Sequence, residues 1–220
     1  MFEGILPLIF VFLTIIVYVG GFSNLLSNRF MVYQRMRAPL KTLLGSSLLS
    51  NVFLTFIVFF LFTFNLFIFS FYIQPSLNMV EYHPEVYHLS GKSLILDSYT
   101  RNTFTQFLKY GNFAYGLVFS FWVGLNAVLY SSLGFFTVLL FKNKLIGIAF
   151  PVLFYLIGTF SFSFSDTLAP FRMADVVFPF SIEQEPIITT CVTVFVLFLI
   201  NIFLSIYVFK FKINSLEDTI

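Results

Sequence analysis

His83, Glu85 and His88, in "HPEVYH", are the nearest approach in this sequence to a metal-binding cluster. Zinc takes imidazole and carboxylate ligands in a tetrahedral shell, and a His-x4-His spacing offers two of them. Pro84 spoils the helical face that would present both rings on one side. No further ligand pattern follows, so the three read as loop residues, and neither a metal nor another cofactor is expected. "GKS" at Gly91–Ser93 has the ending of a phosphate-binding loop. Such a loop needs a second glycine five residues earlier, where this chain has Val86, so the triplet reads as chance.

The long apolar segments contain no Asp, Glu, Lys, Arg or His. That excludes an intramembrane proton relay, a protease dyad and a buried ion pair. Asn51, Asn65, Asn126 and Asn201 are the strongest polar groups left inside those segments. Two roles fit them: hydrogen bonding between helices, or lining a substrate path. Gly116, Gly124, Gly134 and Ser131 are small enough to let a third helix pack closely. No internal repeat is visible, so an inverted-repeat carrier has no support.

The charged residues cluster elsewhere. "NRFMVYQRMRAPLKTLLGSS", Asn28–Ser47, holds Arg29, Arg35, Arg37 and Lys41 and no carboxylate. An uncharged apolar segment flanks it on each side, so this basic run connects two membrane-type segments.

The elements that hold these residues follow from composition. The chain is 59% hydrophobic, 21% aromatic and 10% charged, with 35 Phe among its 220 residues. Soluble domains carry about a quarter charged residues, and a water-facing skin cannot be built from so few. The solvent for most of the chain must be lipid. Five segments suffice to span it: 4–22, 48–73, 113–141, 145–164 and 187–209. The first has Glu3 before it and Arg29 after it, and reads as a retained anchor and not a cleaved signal. Runs such as "FIVFFLFTF" do not alternate, which argues against a β-barrel. The expected fold is all-α, a single polytopic helical membrane bundle of about five transmembrane helices over residues 1–220. The one cysteine, Cys191, excludes an internal disulfide and reads as a small buried hydrophobe.

Lys and Arg near spans stay on the cytoplasmic side. With the connector 23–47 inside, that side collects Arg29, Arg35, Arg37, Lys41, Lys142, Lys144, Lys210 and Lys212 against Glu217 and Asp218. The other side has four basic residues against eight carboxylates. The N-terminus is therefore expected outside and the C-terminus inside. Of the two outer segments, 74–112 ends in "RNTFTQFLKYGNF", where Phe104, Phe107 and Leu108 predict a short amphipathic helix at the interface. The other, 165–186, carries Pro170, Pro179 and Pro186 among apolar residues. It is too broken for a span and predicts a re-entrant or interfacial segment before the last helix.

This layout resembles the membrane (permease) subunit of bacterial ABC exporters of the second type, which handle drugs, peptides, lantibiotics and polysaccharides. The features that carry the resemblance are spread over Ser23–Phe209. "NRFMVYQRMRAPLKTLLGSSLLSNVF" is similar to the family's first cytoplasmic loop, and "VLYSSLGFFTVLLFKNKLIGIAFPVLFYLIG" to its fourth-to-fifth helix passage. "APFRMADVVFPFS" stands where the family has short outer helices. The family ordinarily has six spans and a cytoplasmic N-terminus; the five here match its second to sixth.

The resemblance implies a non-enzymatic transport component of the bacterial cell membrane. Its partners would be a separate ABC ATPase subunit, a second permease copy or a related permease, and membrane lipid, with no nucleic acid. It places ATPase coupling near Tyr33–Leu44. Tyr33, Met36 and Leu40 would be apolar anchors, Arg35, Arg37 and Lys41 would supply charge, and a helix would start at Pro39. Orientation or anionic-lipid binding is the other reading of the same basic run. A non-transport membrane protein, such as a bacteriocin-immunity or sensor-associated binding subunit, is the alternative function.

Overall fold

The structure is a computed structural model and describes residues 5–27, 38–79, 91–100, 102–165, 167–179 and 187–213. Those residues are helical or in connections, with no strand among them. The helices are α1 (Ile5–Val17), α2 (Val19–Ser27), α3 (Leu40–Ile68), α4 (Gly91–Thr100), α5 (Asn112–Leu140), α6 (Lys144–Ser161), α7 (Met173–Val177) and α8 (Ile187–Tyr207). A π turn at Phe69–Ile73 and a last α turn at Gln74–Ser76 prolong α3, and a π turn at Val208–Lys212 prolongs α8.

Four of these helices, α3, α5, α6 and α8 with their extensions, are long and apolar enough to cross a membrane. The pair α1–α2 makes a fifth if it is one span. The chain is thus a multi-pass membrane protein. The expected first span, 4–22, is not one straight helix: it bends by 43° between Val17 and Val19. Gly20 and Gly21 follow the bend, and a glycine pair is a recurrent weak point in a helix. The expected second span begins eight residues earlier than hydropathy suggested. Pro39 stands just before the helix with φ −58° and ψ 143°, and its carbonyl accepts from Thr42 and Leu43 at 3.0 and 3.1 Å. The helix foreseen after Pro39 is therefore continuous with the membrane span.

α5 is the centre of the bundle. Of its most apolar 18-residue window 83% is buried, against 22% for α3 and α8 and 28% for α6. Its small residues make the approach possible. Gly116 lies under the Phe67 ring of α3, and a Cβ at Gly124 would stand 3.1 Å from the Phe56 ring. Gly134 faces Ile15 and Val19 on one side and Pro151 on the other. The close-packing residues foreseen on this helix thus meet three neighbours.

Side-chain pairings fix the directions. Phe56 meets Phe121 and Phe64 meets Phe113, so α3 and α5 run antiparallel. α6 returns along α5, with Thr137 bonded to Gly147 and Tyr130 packed edge-on to Tyr155. Phe10 meets Tyr130 and Phe22 meets Phe135, so α1–α2 runs parallel to α5. α8 is also parallel to it, with Trp122 beside Ile187 and Leu140 beside Leu204.

The outer faces are apolar. Leu49, Phe53, Ile57 and Leu61 make one exposed row along α3, while Asn51, Thr55 and Thr63 are buried on its other side. This polarity is inverted relative to a soluble bundle. It fits a lipid solvent, in which polar side chains must find partners inside the protein.

Cys191 is exposed on α8, not buried as expected. Hydropathy separates lipid-compatible residues from polar ones, but it does not separate lipid-facing from core residues.

Candidate functional site

Three features of the described residues bear on function: one basic end, a set of polar joints on α5, and a polar pocket at the opposite end.

The pairings above bring the start of α3, the α5–α6 turn and the end of α8 to one end of the bundle. Lys41, Lys142, Lys144, Lys210 and Lys212 gather there, with no carboxylate among the described residues of that end. The α5–α6 turn is built locally. Asn143 caps α6 by accepting from the Leu145 N–H at 3.0 Å. The Thr137 hydroxyl donates to the Gly147 carbonyl at 2.7 Å, locking the two helices.

Of the coupling residues expected in the connector, Tyr33, Arg35, Met36 and Arg37 lie outside the described residues. Lys41 is exposed. Leu40 is 1% exposed and belongs to the chain's own core. A side chain so placed steadies the start of α3 and presents no surface to a partner in this conformation. Its burial had no signal in the sequence, because Leu40 and Leu44 lie in a stretch polar enough to read as a connector.

The four asparagines are placed differently. Asn51 is fully buried, and its carboxamide oxygen accepts from the Ser131 hydroxyl of α5 at 2.7 Å. The Thr55 hydroxyl lies 3.4 Å from both. Asn201 on α8 donates to the Leu129 carbonyl of α5 at 3.2 Å and to Leu197 at 2.9 Å. Asn126 donates to the Trp122 carbonyl one turn back, at 3.0 Å. Asn65 is exposed and donates to the Leu61 carbonyl at 2.7 Å. Asn51 and Asn201 therefore fasten α3 and α8 to the central helix, while Asn65 stands on the outer surface of α3.

The connections at the end opposite the gathered lysines pack onto the bundle. Before the last span, α7 is buried through Met173, Ala174, Val176 and Val177. The Trp122 indole N–H of α5 donates to the Val176 carbonyl at 2.8 Å, and Phe178 packs edge-on to Phe10 of α1. The stretch expected to form an outer amphipathic helix is a 3-10 turn, Thr105–Tyr110. Phe104 is buried against Trp122, and Phe107 and Leu108 pack on the core. Gly111, at φ 104°, turns the chain into α5 in a conformation that only glycine adopts freely.

Between these connections lies a polar pocket of about 140 Å³, lined by Thr103, Pro170, Arg172, Asp175, Thr189 and Thr190. Arg172 and Asp175 pair at 3.3 Å. Burial pushes the Asp175 carboxyl above its ordinary pKa, and the Arg172 guanidinium pulls it back. Sequence reasoning missed this pocket; the only signal was Arg172 with Asp175 in the otherwise apolar stretch Leu168–Phe180. His83, Glu85 and His88 lie outside the described residues, and Gly91–Ser93 opens the exposed helix α4.

The chain matches no protein-family model, no curated protein and no solved structure.

Proposed function

We infer that this chain is the permease subunit of an ATP-driven exporter of the second ABC type. The N-terminus would be outside and the basic end would face the cytoplasm. The observation that carries this reading is the gathering of Lys41, Lys142, Lys144, Lys210 and Lys212 at one end, with Arg29, Arg35 and Arg37 just before Lys41 in the sequence. Such a face obeys the positive-inside rule and suits an acidic docking surface on an ATPase. The resemblance of the connector to the family's first cytoplasmic loop adds the coupling role. The chain itself would hydrolyse nothing.

Packing also favours one route for such a path. α5 fills the middle of the bundle and its neighbours are sealed onto it by hydrogen bonds. A substrate would therefore cross between this chain and a second permease copy, and not through the centre of one. Asn65, exposed on α3, is the asparagine of the four placed to meet such a path. Asn51, Asn126 and Asn201 would act as joints.

The reading is tested by purifying the tagged chain from bacterial membranes in mild detergent. The expected result is a stoichiometric ABC ATPase chain and vanadate-sensitive ATP hydrolysis in the same peak. A chain that purifies without an ATPase, even when expressed at its native level in its own host, would overturn the reading and favour a binding-only membrane subunit.

A further inference from the structure

Below the polar outer pocket an apolar groove of about 720 Å³ runs between α5 and α8. Trp122, Leu125 and Leu129 line it on one side, and Ile187, Cys191 and Phe195 on the other. Its size lies in the range of about 300–1,000 Å³ typical of small-molecule sites.

Two features join the groove to the pocket. On α8, Thr190 lines the pocket while Ile187 and Cys191, on either side of it, line the groove. On α5, Trp122 lines the groove while its indole holds Val176, the neighbour of Asp175.

The pocket also contains polar atoms that lack partners. Thr190 is 4% exposed, and its hydroxyl makes no hydrogen bond. The Arg172 Nε is buried and makes none either. A buried donor without an acceptor is costly, so two of them in one pocket point to an absent ligand that accepts hydrogen bonds. Arg172 and Asp175 present one positive and one negative group 3.3 Å apart. That pair complements a zwitterion better than a net anion, which would set its charge against Asp175.

We propose that pocket and groove together bind one membrane phospholipid with a zwitterionic, primary-ammonium headgroup. The phosphodiester oxygens accept from the Arg172 Nε and the Thr190 hydroxyl. The ammonium donates to the Asp175 carboxylate, and an acyl chain lies along the groove. The site needs no ATPase, so it stands or falls separately from the transport reading.

The test is native mass spectrometry of the full chain, purified in detergent and supplied with phosphatidylethanolamine or phosphatidylglycerol. The parent chain retains one phosphatidylethanolamine and prefers it to phosphatidylglycerol. Arg172→Gln and Thr190→Val each weaken retention by about tenfold, as loss of a charged or buried hydrogen bond predicts. Cys191→Phe fills the groove and displaces the lipid, and Asp175→Asn abolishes the headgroup preference. Thr190→Val and Cys191→Phe change no charge and leave the Arg172–Asp175 pair intact, so they decide the matter even if Arg172→Gln disturbs the outer turn. Equal retention by parent, Thr190→Val and Cys191→Phe, or equal retention of the two lipids by the parent, would overturn the proposal.

Discussion

The Ser131 hydroxyl on the central helix donates to the Asn51 carboxamide oxygen on α3 across 2.7 Å, with both residues fully buried. The bond joins two antiparallel spans inside the protein, where lipid offers no competing partner. It makes α3 and α5 one unit. Interhelical hydrogen bonds of this type are worth about 0.6 kcal/mol on average and up to about 1.7 kcal/mol. A double-mutant cycle of Ser131→Ala and Asn51→Ala, read by unfolding in mixed micelles, should give a coupling energy in that range. Zero coupling would mean that each group finds an equal partner elsewhere.

A second consequence concerns the α5–α6 hairpin. A Cβ on Gly147 would stand 2.7 Å from the Val138 Cα and 3.0 Å from the Thr137 carbonyl oxygen, both backbone atoms. Backbone cannot step aside as a side chain can, so Gly147→Ala should cost about 1–3 kcal/mol. Gly45→Ala is the control: nothing lies within 4 Å, and a helical alanine there should stabilise by about 0.5–1 kcal/mol. Thermal unfolding of the two variants in the same detergent should move in opposite directions.

How much of this was legible in the sequence depends on which boundary is asked about. The boundary between lipid and water was legible, because charge is excluded from the spans and concentrated in the connections. Positions 113–141, 145–164 and 187–209 therefore fall within a few residues of α5, α6 with its last turn, and α8 with its extension. The boundary between lipid and protein was not. Phe53 and Phe59 are equally apolar, yet one is 64% and the other 5% exposed. The small residues of α5 gave the only hint of its central place. The Arg172–Asp175 pocket depends on a fold of the connection between α6 and α8 that no periodicity encodes, and Leu40 sits in a stretch that charge marked as a loop.

The Arg172–Asp175 pocket should also respond to pH. Burial raises the Asp175 pKa above its ordinary value of 3.8, so the folded chain binds this proton more tightly than the unfolded chain. By linkage, the contribution of Asp175 to stability falls as pH rises through the interval between the ordinary and the raised value. It is most favourable below that interval. Asp175→Asn removes this slope. Unfolding of the parent and the variant across the acid range should show the parent gaining stability relative to the variant as pH falls. A difference that does not change with pH would show that Asp175 titrates normally.

Topology is open to direct labelling. Cysteines placed singly at Ser90 and Asn143 in a Cys191→Ser background should label from opposite sides. Position 90 should react with an impermeant maleimide in intact cells, and position 143 only after lysis. The reverse pattern would invert the bundle and put its basic end outside.

The last prediction separates three jobs that one short stretch holds. Leu40 is buried in the chain's own core, so Leu40→Ala should act on stability, by about 2–5 kcal/mol, before it acts on any partner. Tyr33→Ala with Met36→Ala keeps every charge and removes the two other apolar residues to which the resemblance gives an anchoring role. If the connector couples to an ATPase, this pair should insert and fold like the parent yet lose ATPase co-purification, because buried apolar anchors dominate such contacts. Arg35→Gln with Arg37→Gln leaves Arg29 and Lys41, together with the lysines of the α5–α6 turn and the end of α8. Orientation should then survive, while association weakens most at low salt and approaches the parent's as salt rises, since exposed charges act over only about 10 Å at 0.1 M ionic strength. The three variants thus fail in three distinguishable ways: in melting temperature, in partner loss at any salt, and in a loss of affinity that is largest at low salt. If Tyr33→Ala/Met36→Ala binds the ATPase as the parent does, the connector's apolar residues carry no coupling, and its arginines act as a topology signal alone.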